Sequence, residues 1–319
     1  ETGTEIPPEL VTQMTGWRRD FHRHPEPGFA EERTSAHIAS LLESFGIEVH
    51  RNIGKTGIVG ILQRGNGPGS IAFRADMDAL PITETGTPEW VSVHDGAMHA
   101  CGHDGHTAML LGAACHLAAK GDFNGRIVFI FQPNEEHGQG ARAMIDDGLF
   151  QRFPADAVFA MHNIPGMKTG SFATRAGPMT ASESLFELSV TARGGHAALP
   201  HMGVDAILVG AQLVTALQSI VSRKLDPARN GVVSITEFIT DGSRNVLPSS
   251  ALLKGDARAL SDDTNHAIEA HMRRIAAGIA AAHDVDITVT YDTIFPSLTN
   301  DASAVSHAIA AARTTVSYT

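Results

Sequence analysis

Three observations predict an α/β protein with a smaller α+β domain set into it. Short apolar runs of strand type alternate with helical stripes as far as about residue 180. Ligand-type side chains stand at the ends of successive runs, and beyond residue 180 the strands begin to come in pairs. Alternating strands and helices make an α/β domain, and open sheets of that kind place their sites beyond the ends of their strands. The length of 319 residues exceeds one ordinary domain and leaves ample chain for a buried core.

The first helix is predicted from Glu9 to about His22, stopped by Pro25, Pro27 and Gly28. A second carries Ile38, Leu41, Leu42 and Phe45 at helical spacing, with Gly46 where a left-handed cap belongs. Strands are expected from Ile58 to Leu62 and from Ile71 to Met77, joined by a Gly-rich turn. An apolar helix from Thr107 to Ala119 follows, then strands from Arg126 to Phe131, Ala157 to Met161 and Gly170 to Arg175.

Between these elements lies the chemistry. The stretch His99-Ala100-Cys101-Gly102-His103-Asp104-Gly105-His106 packs three imidazoles, a thiol and a carboxylate into eight residues, a metal-ligand density. Cys101 and His103 point the same way if the backbone is extended, whereas His103 and His106 meet only if the helix has already begun; the first pair is the better candidate. With 17 histidines in the chain some clustering is inevitable, so the site reading leans on two further stretches. Glu135 and Glu136 follow one strand and His162 follows the next. Asp76 and Asp78 share a face at the end of the Ile71 strand, where the bland reading is a pair of solvated or capping acids. Neighbouring carboxylates raise at least one pKa, which a general base near neutral pH requires.

Past residue 180, Phe186, Leu188, Val190 and Ala192 alternate with polar residues as a half-buried strand. A helix is predicted on the stripe Ile207, Ala211, Val214, Leu217 and Val221. Strands from Val232 to Phe238 and Ala251 to Leu260 follow, then a helix through Ile268, Met272, Ile275 and Ile279 capped by Ser261. A strand with Val285, Ile287, Val289 and Tyr291 completes the order β-α-β-β-α-β of a ferredoxin-like sandwich, two helices on one face and the other left free for a second subunit. A last helix begins near Ala304 and the chain stops soon after.

Twenty-four basic against 35 acidic residues give a net charge of −11, which argues against nucleic-acid and anionic-membrane partners and favours a small-molecule substrate. No apolar run of about 18 residues reads as a membrane span, and no signal-peptide pattern opens the chain, so a cytoplasmic location is expected. Cys115 falls within an apolar helix pattern and Cys101 among ligand types, so a disulfide between them is not expected.

Taken in order, Arg74 to Pro81, His99 to His106, Asn134-Glu135-Glu136, Met161-His162-Asn163, Gly194-Gly195-His196-Ala197 and Asn245-Val246-Leu247-Pro248 resemble successive motifs of one family. It is that of the metal-dependent amidohydrolases typified by hippurate hydrolase, N-acyl-amino-acid amidohydrolase and the plant auxin-conjugate hydrolases, relatives of aminoacylase. The resemblance implies a zinc-exopeptidase-like catalytic domain over residues 1–180 and 291–319, with a ferredoxin-like lid and dimerisation domain inserted over 181–290. It implies Cys101, His103, Glu136 and His162 as metal ligands and Glu135 as general base. His196 would help stabilise the reacting carbonyl, in its own or a neighbouring subunit, and Asn245 would bind substrate, with Arg258 the weaker candidate for its carboxylate. The family also draws a ligand histidine from near its C-terminus, and this sequence stops before an equivalent. Fewer or weaker metals and poor turnover are therefore expected, with a catalytically impaired binding or scaffold homologue as the alternative function.

The chemistry asks for these residue types. Amide hydrolysis needs a nucleophile at neutral pH and a place for charge developing on the carbonyl oxygen, and one or two divalent ions supply both. Thiolate, imidazole and carboxylate together suit Zn2+, with Mn2+, Co2+ and Ni2+ as other candidates. Asp76, Asp78 and Asp104 are then expected to stand behind the ligands, Asp78 and Asp104 orienting the imidazoles. A hydrolase using Cys101 as nucleophile is the rival without metal, but it leaves Glu136 and His162 without a role.

Overall fold

The computed structural model describes residues 6–315, and the chain divides into two compact units, one up to Ser171 and one from Phe172 on. The first unit runs α1 (Pro8–Arg23), α2 (Glu32–Ser44), β1 (Glu48–Ile53), β2 (Gly57–Arg64), β3 (Ser70–Asp76), α3 (His103–Lys120), β4 (Gly125–Gln132), α4 (Gly140–Asp146), α5 (Leu149–Arg152) and β5 (Ala157–Ala160). Its five strands lie in the order β1-β2-β4-β3-β5. β2 is antiparallel to both neighbours, while β3 runs parallel to β4 and β5.

β4 explains why its sequence is an unbroken apolar run. Phe129 and Phe131 face a core with Phe21, Ile38, Leu42 and Leu111, and Val128 and Ile130 face the opposite one with Ile53, Met144, Leu149 and Phe153. Each such side chain contributes roughly 1.5–3 kcal/mol on burial. The strand is thus fixed from both faces, and so is whatever follows it. The α2 cap is as predicted: Gly46 has φ +76°, its N–H donates to the Glu43 carbonyl, and the Ile47 N–H donates to the Leu42 carbonyl.

Two expectations are corrected here, and one strand had not been foreseen. Helix α3 begins at His103, four residues before the predicted Thr107. Residues 170–175 form no strand: Gly170 has φ +80°, Phe172 is 56 % exposed, and nothing there is buried against a sheet. Strand β1 was hidden by its charged residues; as an edge strand it buries only Ile53.

The second unit contains β6 (Gly177–Thr180), β7 (Ser182–Thr191), β8 (Gly195–His196), α6 (Ala206–Ser219), β9 (Gly231–Thr240), β10 (Val246–Leu247), β11 (Ser250–Ala259), α7 (Asp262–His283), β12 (Asp286–Phe295), β13 (Leu298–Asn300) and α8 (Ala302–Thr315). An antiparallel sheet in the order β12-β7-β11-β9 carries α6 and α7 packed through Leu213, Leu217, Ile268 and Met272 onto Phe186, Leu188, Val190 and Leu253. Short strands β6 and β13, just before and just after this sheet in sequence, pair with each other. Ser261 caps α7 as expected, accepting from the Thr264 N–H at 3.3 Å. The tail beyond Thr315 lies outside the described residues.

The predicted stripe on α6 is also corrected. Ala206, Val209, Gly210, Leu213 and Leu217 are buried, whereas Ile207 and Val221 are exposed. The helix is apolar nearly all round, so two stripes fit the sequence and only packing selects one. Together with the π-turn through Lys224 it is long and apolar enough to cross a membrane, contrary to the expectation that no such run exists. One face of it packs into the core of the second unit.

Candidate metal centre

Because β3, β4 and β5 are mutually parallel, their carboxyl ends share one rim of the first sheet. Asp78 follows β3, Glu135 and Glu136 follow β4, and His162 follows β5. The N-terminus of α3 brings His103 to the same rim.

The donors meet there. Cys101 Sγ lies 3.3 Å from His162 Nε2. His103 Nε2 lies 3.7 Å from Glu136 Oε1 and 3.9 Å from Glu135 Oε2. Three donor groups fall within 4.8 Å, namely Cys101 with His103 and His162, His103 with Glu135 and Glu136, and Asp76 with His103 and His106. His103 belongs to all of them. The reason given for pairing Cys101 with His103 was wrong, since Gly102 at φ +94° breaks the extended backbone and the helix has already begun. Both pairs consequently meet, with the His103 and His106 rings 5.5 Å apart.

Two observations show that these residues fit a divalent cation. His103 Nε2 and Glu136 Oε1 are buried without a hydrogen-bond partner and face one another across 3.7 Å. Donors about 2.1 Å from one ion stand about 3.4 Å apart, close to the spacings here. A buried polar atom without a partner costs about 1–3 kcal/mol, so such a pair calls for a ligand.

Asp78 holds this arrangement. His103 Nδ1 donates to the Asp78 carbonyl at 2.9 Å and lies 3.2 Å from its carboxylate, leaving Nε2 for the site. The other carboxylate oxygen accepts from the Glu136 backbone N–H at 3.1 Å. Asp76 bonds His106 at 2.6 Å and Arg74 at 2.7 Å. Asp104 does not do what was expected of it. It accepts from Arg18 and His22 of α1, each at 2.8 Å, and touches no imidazole of the donor groups. Successive residues of a helix point about 100° apart, so when His103 faces the rim its neighbour cannot.

Glu31, which no sequence pattern singled out, is fully buried and steadies the base loop. Its carboxylate accepts from the Asn134 backbone N–H at 2.8 Å and from Thr56 Oγ1 at 2.6 Å. Asn134 has φ +43°, and its side chain occupies the place a Cβ on Gly28 would take.

The residues expected on the substrate side lie in the second unit. β8 and β10 pair His196 with Val246, and the Ala197 N–H donates to the Asn245 carbonyl, so His196 and Asn245 are brought side by side. Arg258, on β11, bonds Asp256 at 2.8 Å and Glu183 at 2.6 Å.

Burial of acids around the imidazoles sets the charge. Burial raises the Glu135 carboxyl, with the nearby Asp76 and Glu136 acting the same way. Burial works against a proton on His103, yet its bond to Asp78, the neighbouring Cys101 sulfur and the field of Asp76 push it up to about 11. Bonding to Cys101 lifts His162 to about 9 against the effect of burial, and the same contacts with His103 and His162 hold the thiol down. Both imidazoles therefore carry protons at neutral pH that a metal must displace. Metal uptake at pH 7 is expected to release protons, and affinity to climb as pH rises toward about 9. Calorimetry in buffers of different ionisation enthalpy measures this; uptake without net proton release would contradict it.

Thiol, imidazole and carboxylate donors at the carboxyl rim of an α/β sheet define a metallohydrolase. Comparison with known proteins gives its family. Residues 72–319 match Peptidase family M20/M25/M40. The chain is 43 % identical over 300 residues to hippurate hydrolase of Campylobacter jejuni, covering 94 % of this chain and 78 % of that one. It is 39 % identical over 304 residues to N-acetylcysteine deacetylase of Bacillus subtilis, covering 94 % and 79 %. The crystal structure of the Bacillus subtilis YXEP protein, a dinuclear metal-binding peptidase of the M20 family, superposes with a TM-score of 0.83 at 35 % identity, over 97 % of this chain and 81 % of the other. The chain belongs to this family, and it is a metal-dependent hydrolase of amide bonds. The relatives are hydrolases and give no support to a catalytically impaired homologue.

Proposed function

We propose that the chain hydrolyses N-acyl amino acids, hippurate-like, N-acetyl or related conjugates, to a carboxylate and a free amino acid. The observation that carries this is the rim where Glu135 stands beside Cys101, His103, Glu136 and His162. The names of the relatives support the substrate class. Those four residues would hold one or two divalent ions, Zn2+, Mn2+, Co2+ or Ni2+, which supply carbonyl polarisation and activation of the attacking water.

The chain's own residues do the rest. Glu135 takes the proton of the attacking water and passes it to the nitrogen as the amide C–N bond breaks and a new C–O bond forms. Its side chain is 27 % exposed against 16 % for Glu136, which supports Glu135 as the group open to substrate and Glu136 as the ligand. Asp78 keeps His103 in the tautomer that presents Nε2. His196 and Asn245 bind the acyl carbonyl and the amino-acid portion, His196 in its own or a neighbouring subunit.

The domain reading belongs to this proposal, a catalytic domain over residues 1–180 and 291–319 and a ferredoxin-like inserted lid over 181–290, with the lid's end moved to Phe295 because β12 pairs with β7 as far as that residue. The pairing of β6 with β13 supports an insertion, since the chain enters and leaves the four-stranded sheet at one place. A cytoplasmic location is part of the same reading. So is a homodimer through the smaller domain, supported by exposed Ile207 and Leu208 on α6 beside Val232, Phe238 and Ile239 on the edge strand β9. Light scattering is expected to give twice the chain mass; a monomer at high concentration sinks the dimer.

A panel of N-acyl amino acids assayed with each added metal tests the function. Turnover of hippurate-like or N-acetyl substrates that chelation abolishes supports it. Chelator-resistant activity would instead favour Cys101 as a nucleophile.

A further inference from the structure

His106 belongs to a donor group with Asp76 and His103, yet neither of its nitrogens is free. The ring is 3 % exposed, and Nδ1–H donates to Asp76 Oδ1 at 2.6 Å. Nε2 faces Asn163, 2.6 Å from its side-chain oxygen Oδ1 and 3.2 Å from its backbone nitrogen: carrying a proton it donates to Oδ1, and without one it accepts from the backbone N–H. Asp76 is itself fixed from behind by Arg74 and by the Thr107 hydroxyl, which donates to its carbonyl at 3.0 Å.

Asn163 is pinned from a second direction. Its side chain fills the space where a Cβ on Gly102 would sit, 2.3 Å away, so a glycine at that left-handed position is what lets Asn163 approach the loop between Cys101 and His103. What Asn163 does with this fixed position is visible in its carbonyl, which accepts from His162 Nδ1 at 2.7 Å. That bond places the proton on Nδ1 and turns His162 Nε2 toward Cys101. The His106 ring also lies edge-on against the His162 ring, with centroids 4.6 Å apart.

We infer that His106 is a positioning residue: anchored by Asp76, it clamps Asn163 and through it orients His162, without binding metal itself. The inference rests on His162 being a metal ligand. It gives a role to His106 in a centre that takes only one nitrogen from the first turn of α3, that of His103. Outer partners of a ligand histidine are typically worth about 10–100-fold in metal affinity.

The test is a double-mutant cycle on the full chain, read as Zn2+ affinity by competition with a chromogenic chelator, with kcat and KM measured alongside. His106→Ala and Asn163→Ala are each expected to weaken Zn2+ binding about 10–100-fold. In a His162→Ala background His106→Ala is expected to cause no further loss, because the only ligand it positions is gone. His106→Gln, which keeps a polar group near Nε2, is expected to recover part of the affinity and controls for misfolding. Losses from His106→Ala and His162→Ala that multiply would overturn the inference and make His106 a ligand in its own right. So would full Zn2+ affinity in His106→Ala while His162→Ala loses it. Full affinity in His162→Ala would instead remove the ligand reading on which the inference stands.

Discussion

Glu135→Gln is expected to lower kcat by about 10² to 10⁴ while metal content and thermal midpoint stay at the parent's values. The amide keeps the size and polarity of the carboxylate but accepts no proton. Glu135 is suited to that task because its raised carboxyl pKa, caused first by burial, brings it toward the working pH. Elemental analysis with steady-state kinetics checks both halves. A variant that lost its metal would exchange the roles of Glu135 and Glu136, and one that kept its rate would remove the base altogether.

His103→Ala is expected to cost more than activity. His103 Nε2 is the atom common to the donor groups, and its ring is completely buried between Asp76, Asp78 and the glutamates. Removing it takes away a donor, strands the Asp78 carboxylate and leaves acids facing one another. Affinity should fall by more than the roughly 100-fold reached by changing an outer partner, and turnover should drop to background. Truncation also leaves a buried group unsatisfied, worth about 1–3 kcal/mol of stability. Metal content after dialysis and a denaturant titration measure the two effects. Retention of a full metal complement would show that the centre is built around other atoms.

The sequence made the donors legible because they follow strands, and a run such as Arg126 to Phe131 announces where a strand must end. Glu135, Glu136 and His162 were found in that way, Cys101 and His103 by the density of ligand types between His99 and His106, and the fold brings all five to one rim. What supports them was hidden for a physical reason. Glu31 meets Asn134 across 103 residues of sequence, and no periodicity encodes such a contact. Asn163 was quoted only as a neighbour of His162, since the space at Gly102 that receives it exists only after folding. Asp104 misled in the opposite sense, because proximity to His103 in sequence becomes opposition on a helix. The α6 stripe failed where the pattern carried too little information, as that helix is apolar nearly all round.

The adjacency of β6 and β13 fixes where the four-stranded segment begins and ends. Glu183 near its start is in register with Phe295 at its end, so the segment is closed at its base before either strand continues. A segment whose two ends are held together adds little loop-closure cost to the chain that hosts it, whatever its length. Its far turns can change in length while the pairing at its base is kept.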